Sequence, residues 1–438
     1  MIDRSDKLST VNSWFSKYYH DYILLVEGPH GIGKTQFVRS YCKQQFPLGV
    51  FYVDVKEDKE QLTSILSDRY LNVDNFYSSL FFMKNTKMPI SGEVLVFENI
   101  EYCPLLRQFG KTLAQKSKYR IIFTTCGGRG IEHYGDNKLI PSNEMVVHLN
   151  PLNFVDFLKA CDKKDLANHL THCLESRTAI SGYISSELRK FYNTFLIVGG
   201  YPSVVDYYNK TKDVIECAQM NHRILEQQFD HLKDFIGREI YSFERIKDNL
   251  DQIIINQSLS SLSAKEKYYA GRVLALMEEE EIISIAKAVD YSSDGEKRGK
   301  NKCYFGYPFM YSAIYSSQDA SSTLNATNVK EKIILSDFYQ GQRSKGFKTE
   351  YGLSRNNNSY FVSDALMDDD ERKTIVSIKM KRLDKKGIKG LSSLTKEKLS
   401  KGLILYDGDV FEYKDIVVLP LYCAGLVDNS LFYEILPF

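Results

Sequence analysis

The chain has 438 residues, a formal net charge of +1, and 43% hydrophobic and 26% charged residues. This length exceeds what one hydrophobic core organises, so about two to four domains are expected. The composition excludes collagen-like, low-complexity and disordered chains, and the near-zero charge provides no global field toward nucleic acid or membrane.

Residues 1–21 are polar with interspersed aromatics and predict a helix. Residues 22–26 form the first apolar run and predict a strand. It runs into Gly28-Pro-His-Gly-Ile-Gly-Lys-Thr35, and residues 36–43 then read as a helix. This is the pattern G-x-x-x-x-G-K-[ST] with a strand before it and a helix after it. Glycines let backbone N–H groups curl around phosphate oxygens, and a helix N-terminus favours the anion. Gly28, Pro29, His30, Gly31, Ile32, Gly33, Lys34, Thr35 and Gln36 are therefore expected to bind ATP. Lys34 is expected to reach the β/γ-phosphates, and the Thr35 hydroxyl to ligate Mg²⁺.

Residues 50–55, 93–97, 119–125 and 145–149 predict four more strands, separated by helical stretches. Short apolar strands alternating with helices imply a parallel sheet covered on both faces. The third strand reads Val94-Leu-Val-Phe-Glu-Asn-Ile-Glu101. Glu98 stands where the Mg²⁺-holding acid belongs. Asn99 stands where the water-activating carboxylate belongs, and it can orient a water but not take its proton. Glu98 as a simple strand cap is the alternative. Thr124 ends the fourth strand with Thr125; its hydroxyl suits either the γ-phosphate or attacking water, or its own turn. Arg129, in the loop Cys126-Gly-Gly-Arg-Gly130, is a further phosphate contact or a solvated loop residue.

From Pro151 the pattern is helical: 153–158, about 185–195, then Gly199-Gly-Tyr-Pro202, with helices to about 249. Ser263-Ala-Lys-Glu266 fits a capping box and opens a helix over 267–277. An alternating strand over 282–289, a polar turn and Lys302–Gly306 follow. A helix followed by a hairpin predicts a winged helix with Lys297, Arg298, Lys300 and Lys302 at the wing tip. Such a tip touches DNA phosphates or is merely solvated. Residues 316–328 read as a linker. Strands are predicted over 347–351, 360–366, 374–380, 402–406 and 415–421. Between Lys379 and Lys401, Asp384 and Glu397 are the only acids. That basic stretch binds nucleic acid or forms a solvated helix.

Eight cysteines lie scattered without C-x-x-C spacing and read as reduced thiols. His169, His172 and Cys173 form the one His/Cys cluster, with no second ligand pair near them in sequence to complete a zinc site. The N-terminus lacks an apolar signal core, and no apolar run approaches the ~18–20 residues of a membrane span. A cytoplasmic protein with no membrane association is the expectation.

In order along the chain, these motifs resemble the prokaryotic AAA-superfamily ATPases with a C-terminal PD-(D/E)xK-nuclease-like domain. Gly28–Thr35 resembles that family's phosphate loop, with His30 where Arg is common. Phe97-Glu-Asn-Ile100 resembles its apolar-Asp-Glu-Ile motif with both acids altered, and Leu149–Phe154, Gly199–Pro202 and Lys302–Phe305 resemble further stretches. The resemblance implies an α/β fold: a parallel-sheet P-loop ATPase domain over 1–152, a helical lid over 153–225, a winged-helix-like domain over 226–315 and a nuclease-like domain over 326–438. In the last, Asp364 matches the first metal ligand, and Ser377-Ile-Lys379 matches Glu-x-Lys with the carboxylate missing. Glu331, Asp337 or Glu350 could supply a substitute. The implied function is a slow Mg²⁺-dependent ATPase acting as switch or motor, with catalytic residues Glu98, Asn99 and Thr124 and metal ligands Thr35 and Glu98. DNA contact through the wing and the basic stretch, a protein partner and homo-oligomerisation are further implied. The alternatives are a non-hydrolysing nucleotide-binding scaffold and an ATP-regulated nuclease.

Overall fold

The computed structural model describes the chain apart from residues 1–3, 47–48, 88–92, 128–142, 261, 291–299, 316–326, 357–358, 369–372, 381–382, 384–387, 390, 393–394, 396–400 and 433–438. It forms two compact units, one of residues 2–150 and one beginning at Pro151.

The first unit opens with helix α1 (Ser5–Ser13), which a π-turn extends to Tyr18. Five strands follow: β1 (Ile23–Gly28), β2 (Val50–Asp54), β3 (Val94–Glu98), β4 (Arg120–Cys126) and β5 (Glu144–His148). Helices α2 (Lys34–Gln45), α3 (Lys59–Leu66), α4 (Val73–Met83) and α5 (Pro104–Lys116) connect them. All neighbours pair in parallel, in the order β2-β3-β4-β1-β5. Every residue of β3 and all but the first of β4 are buried, so the predicted coverage of both faces holds at the centre of the sheet. The edge strands β2 and β5 are only partly buried. A bidentate pair ties α5 to β5: Arg107 Nε and Nη2 donate to Glu144 at 3.0 and 2.8 Å, with both side chains buried.

The second unit begins with helices α6 (Phe154–Ala160), α7 (Lys164–Ser176), α8 (Gly182–Val198), α9 (Pro202–Thr211) and α10 (Val214–Ile236). The two motif stretches at 149–154 and 199–202 meet here, since the Leu152 N–H donates to the Gly200 carbonyl at 2.8 Å. Helix α10 runs unbroken through position 225. Next come α11 (Ile240–Asp248), α12 (Leu250–Asn256) and α13 (Ala264–Glu279), the last opened by the predicted Ser263–Glu266 capping box. Strands β6 (Ile283–Asp290) and β7 (Lys302–Phe305) form the antiparallel hairpin. Lys297 and Arg298 lie outside the described residues. Lys302 is not at a tip: it belongs to β7, half-buried, with its ammonium 4.2 Å from the Tyr351 ring centre.

After α14 (Phe309–Tyr315), helix α15 (Thr327–Ser344) starts inside the expected linker. The last strands are β8 (Glu350–Asn356), β9 (Ser359–Val362), β10 (Ala365–Asp368), β11 (Lys373–Lys379), β12 (Lys401–Tyr406), β13 (Phe411–Tyr413) and β14 (Ile416–Pro420). They form the sheet β13-β14-β12-β11-β10-β8-β6-β7, with β9 on β8. Strand β6 therefore pairs with β7 through residues 283–286 and, in parallel, with β8 through residues 287–290. The hairpin and the C-terminal strands share one sheet. The single strand expected over 360–366 is two strands, interrupted at Asp364.

Candidate active site

The apolar run Ile23–Val26 is fully buried between β4 and β5, which fixes where β1 ends. At that end Gly28 packs against the chain after β5: a Cβ there would lie 2.5 Å from the Leu149 carbonyl oxygen, so no larger residue fits. Gly33 is the N-cap of α2, with φ 97 in the left-handed region. It turns the chain so that the first turn of α2 closes the loop. Ile32 is buried beneath the loop.

Lys34 lies buried in this loop. Its ammonium donates to the Gly28 and Pro29 carbonyls at 2.9 and 3.0 Å and stands 3.1 Å from Cys126 Sγ at the end of β4. The cation is thus held at the mouth of the loop, where an anionic phosphate oxygen competes with the two carbonyls for its protons. The adjoining pocket is lined by His30, Gly31, Gly33, Lys34, Thr35, Gln36, Arg39, Ser40, Asn99 and Cys126. The predicted P-loop residues and Asn99 therefore meet at one pocket. Gly28, Pro29 and Ile32 are buried and are not among its lining residues.

Glu98 ends β3. Its Oε2 accepts from Arg39 of α2 at 3.1 Å, while Oε1 is buried with no hydrogen-bond partner among the described residues. A buried, unsatisfied carboxylate oxygen beside the P-loop helix fits a cation ligand. With the Thr35 hydroxyl on the pocket wall, the donors present fit Mg²⁺. Asn99 adopts a left-handed backbone, φ 61, which Asn tolerates better than most residues. Thr124, buried on β4, accepts the Asn99 N–H at 3.2 Å, so its oxygen is directed at the β3 end. Arg129 lies outside the described residues.

Sequence reasoning missed five residues here. Arg39, Ser40 and Cys126 line the pocket, and Asp54 accepts from Asn99. Glu101, two residues past Asn99, is buried; burial drives its carboxyl toward the neutral form, opposed by Lys34, its own backbone, Thr125 and Cys126. None belongs to a motif: the pairing of β2, β3 and β4 gathers Asp54, Glu101 and Cys126, and α2 carries Arg39 and Ser40. His30 differs in charge from the arginine common at its position: burial, then Lys34 and Lys56, push its pKa down to about 4. It is neutral at pH 7 and adds no cation to the loop.

The second unit gathers a separate set. Asp364 Oδ2 accepts the Ile378 N–H at 2.6 Å and the Ser377 hydroxyl at 3.3 Å. Of the three acids considered as substitutes, Glu331 on α15 is the one whose field reaches Asp364, together with Lys379 and Lys302. Burial and then Asp364 raise the Glu331 carboxyl, while burial lowers Lys302 and Lys332. Asp337 is instead bound to Tyr192 at 2.6 Å and to the Gly425 N–H at 3.1 Å. Glu350 faces Asp368, Lys348 and Lys373.

The strand order and the glycine loop at the end of β1 define a P-loop nucleotide-binding domain in which β4 separates the loop strand from the acidic strand. Residues 20–158 match the family described as "AAA domain". That stretch is thus an AAA-type P-loop ATPase domain. A protein of Acanthamoeba polyphaga mimivirus, provisionally named an ATP-dependent RNA helicase, is 22% identical over 315 residues. The match takes in 69% of this chain and spans 64% of that relative's length. Among solved structures, the Aeropyrum pernix Orc1 protein in complex with DNA is 14% identical, covering 74% of this chain and 94% of that one with a TM-score of 0.25. Drosophila ORC bound to DNA is 14% identical over 74% and 96%, with a TM-score of 0.29. Pyrobaculum aerophilum Cdc6p is 10% identical over 74% and 95%, with a TM-score of 0.26. Scores this low describe no shared overall shape. Among the described residues no helix is long and apolar enough to cross a membrane.

Replacing Lys34 by Ala is expected to weaken ATP binding roughly hundredfold or more, because losing one partner of a buried charge pair costs about 2–5 kcal/mol. Calorimetric titration of variant and wild type checks this; equal affinities would remove Lys34 from the site. His30 yields a stability prediction. Its pKa in the fold lies below the unfolded value of 6.5. The fold is therefore unpenalised above pH 6.5 and loses stability as pH falls toward about 4, by about 3 kcal/mol at most. His30→Asn is expected to flatten the difference between urea midpoints at pH 7 and pH 5; an unchanged difference would contradict the buried neutral imidazole.

Proposed function

We propose that the chain is an ATP-binding, slowly hydrolysing AAA-type ATPase that uses nucleotide-dependent domain movement as a switch or motor. The observation that carries this reading is the combination of the docked Lys34 ammonium with the unsatisfied Glu98 Oε1, whose carboxylate meets Arg39 of the same P-loop helix. Gly28–Gln36 bind the phosphates, Lys34 reaching the β/γ-phosphates, and Thr35 and Glu98 hold Mg²⁺. That ion, when bound, neutralises charge on the phosphates. Arg39 holds Glu98 Oε2 and leaves Oε1 for the metal. Asn99 holds the attacking water, and Thr124 keeps Asn99 in place. Absence of a carboxylate at 99 supports slow turnover, since a general base contributes typically 10²–10⁴-fold. A non-hydrolysing scaffold is the neighbouring reading. Glu98→Gln is expected to cut Mg²⁺-dependent phosphate release roughly hundredfold, with several kcal/mol of metal-borne stabilisation at stake. Steady-state phosphate release tests it; an unaffected rate would move the metal site elsewhere.

For the second unit we infer a helical lid over 153–225 that continues through α10 into a winged-helix-like part over 226–315, whose strand β6 joins the sheet of a nuclease-like fold over 326–438 that does not cut. The order α15, β8, β10, β11, then β12 in parallel with β11, supports the nuclease-like reading. Three lysines, at 302, 332 and 379, surround the two carboxylates of Asp364 and Glu331. Such a cluster is already neutralised without a metal and favours a phosphate backbone over Mg²⁺. DNA contact through the wing and the basic stretch, a protein partner, homo-oligomerisation and a cytoplasmic location belong to this proposal. No DNA cleavage is expected when the protein is incubated with Mg²⁺ or Mn²⁺ and plasmid. Cleavage that disappears in Asp364→Ala and Glu331→Gln controls would show a working nuclease in which Glu331 replaces the acid missing at Ser377.

A further inference from the structure

Asp54 ends β2 and stands in register with Glu98 across the β2–β3 pair. Its Oδ1 accepts two hydrogen bonds. The Lys56 N–H, at 3.0 Å, closes the turn after β2, and Asn99 Nδ2 donates at 3.1 Å. Asn99 is fixed from its other side by the Thr124 hydroxyl on β4, which accepts its N–H. Strands β2 and β4 thus both bond to Asn99 at the end of β3, β4 through its backbone N–H and β2 through its side-chain amide, and Asn99 also lines the P-loop pocket. Asn99 lines the pocket, and the Asp54 carboxylate stands one strand behind it.

The pairing has a chemical consequence. An ionised carboxylate only accepts hydrogen bonds. Asp54 therefore permits one orientation of the Asn99 amide, with Nδ2 toward Asp54 and Oδ1 away from it. The N–H···O⁻ bond is charge-assisted, and it polarises the amide so that Oδ1 becomes a stronger acceptor.

We propose that Asp54 is a positioning residue for ATP hydrolysis, acting through Asn99 to hold an acceptor oxygen for the attacking water. The proposal rests on the P-loop ATPase reading. In the step itself the water oxygen bonds to the γ-phosphorus and the bond to the bridging oxygen breaks. ADP leaves with that electron pair, and the water proton passes to a phosphate oxygen. Neither Asp54 nor Asn99 takes it.

The test uses the full-length protein, with ATP affinity from calorimetry and kcat and KM from phosphate release. Asp54→Asn keeps the side-chain volume and an oxygen for the Lys56 N–H, but its amide accepts Asn99 in either orientation. It is expected to lower kcat roughly tenfold or more, with ATP affinity and KM within about twofold of wild type. The double exchange Asp54→Asn/Asn99→Asp turns the pair round, and Asp tolerates the left-handed backbone as Asn does. It is expected to restore kcat to the wild-type value or above. Asn99→Asp alone sets two carboxylates together and is expected to gain less than the exchange, so the two changes are not additive. Intact ATP binding with an unchanged kcat in Asp54→Asn, or a double exchange no faster than Asp54→Asn, would overturn the proposal alone. No ATP binding by the wild type would overturn the P-loop reading and this proposal with it.

Discussion

The site depends on the position of β4 between the strand that carries the P-loop and the strand that carries Glu98. Neighbouring strands lie about 4.8 Å apart, so an inserted strand sets the ends of β1 and β3 roughly 10 Å apart. That gap has the width a chain of phosphates with its cation requires. The inserted strand also supplies the parts that close the gap: Cys126 beneath the Lys34 ammonium and Thr124 on the Asn99 backbone. Arg39 reaches across from α2 to Glu98. The P-loop, the acidic strand and Asn99 are each positioned against β4 or across it.

Much of this was legible in the sequence because local rules governed it. All five strands of the first sheet follow from short apolar runs, and the loop after β1 follows from glycine spacing. The Ser263–Glu266 box follows from capping chemistry. What was not legible depends on pairing between distant segments. Asp54 acquires its role only when β2 lies beside β3, and nothing around Val50–Asp54 marks that. Arg39 is one more polar residue on an amphipathic helix until Glu98 stands opposite it. The same limit applied further along. The alternation over 282–289 correctly marked a strand but could not indicate two partners, so the hairpin read as a separate module. The interruption at Asp364 follows from its carboxylate taking the Ile378 N–H of β11, a tertiary contact.

The abundance of tyrosine, 30 against a single Trp, acquires a physical sense in the second unit. Tyr192, Tyr201, Tyr311 and Tyr339 are buried, and each hydroxyl meets a partner from another element: Asp337, Gln228, Ser336 and the Asp364 carbonyl. Each ring adds apolar area to the core while its hydroxyl fixes one relative placement of two helices or of a helix and a strand. Asp337 is the most demanding of these partners. Burial pushes its pKa up to about 6, and Tyr192 and the Gly425 N–H hold part of it down.

The central claim is that residues 20–158 form a working P-loop. Calorimetric titration of the wild-type chain with ATP, with and without Mg²⁺, tests it most directly. The account requires one ATP bound per chain, with affinity that rises when Mg²⁺ is present. Absence of heat at ATP concentrations well into the millimolar range, or binding indifferent to Mg²⁺, would contradict it.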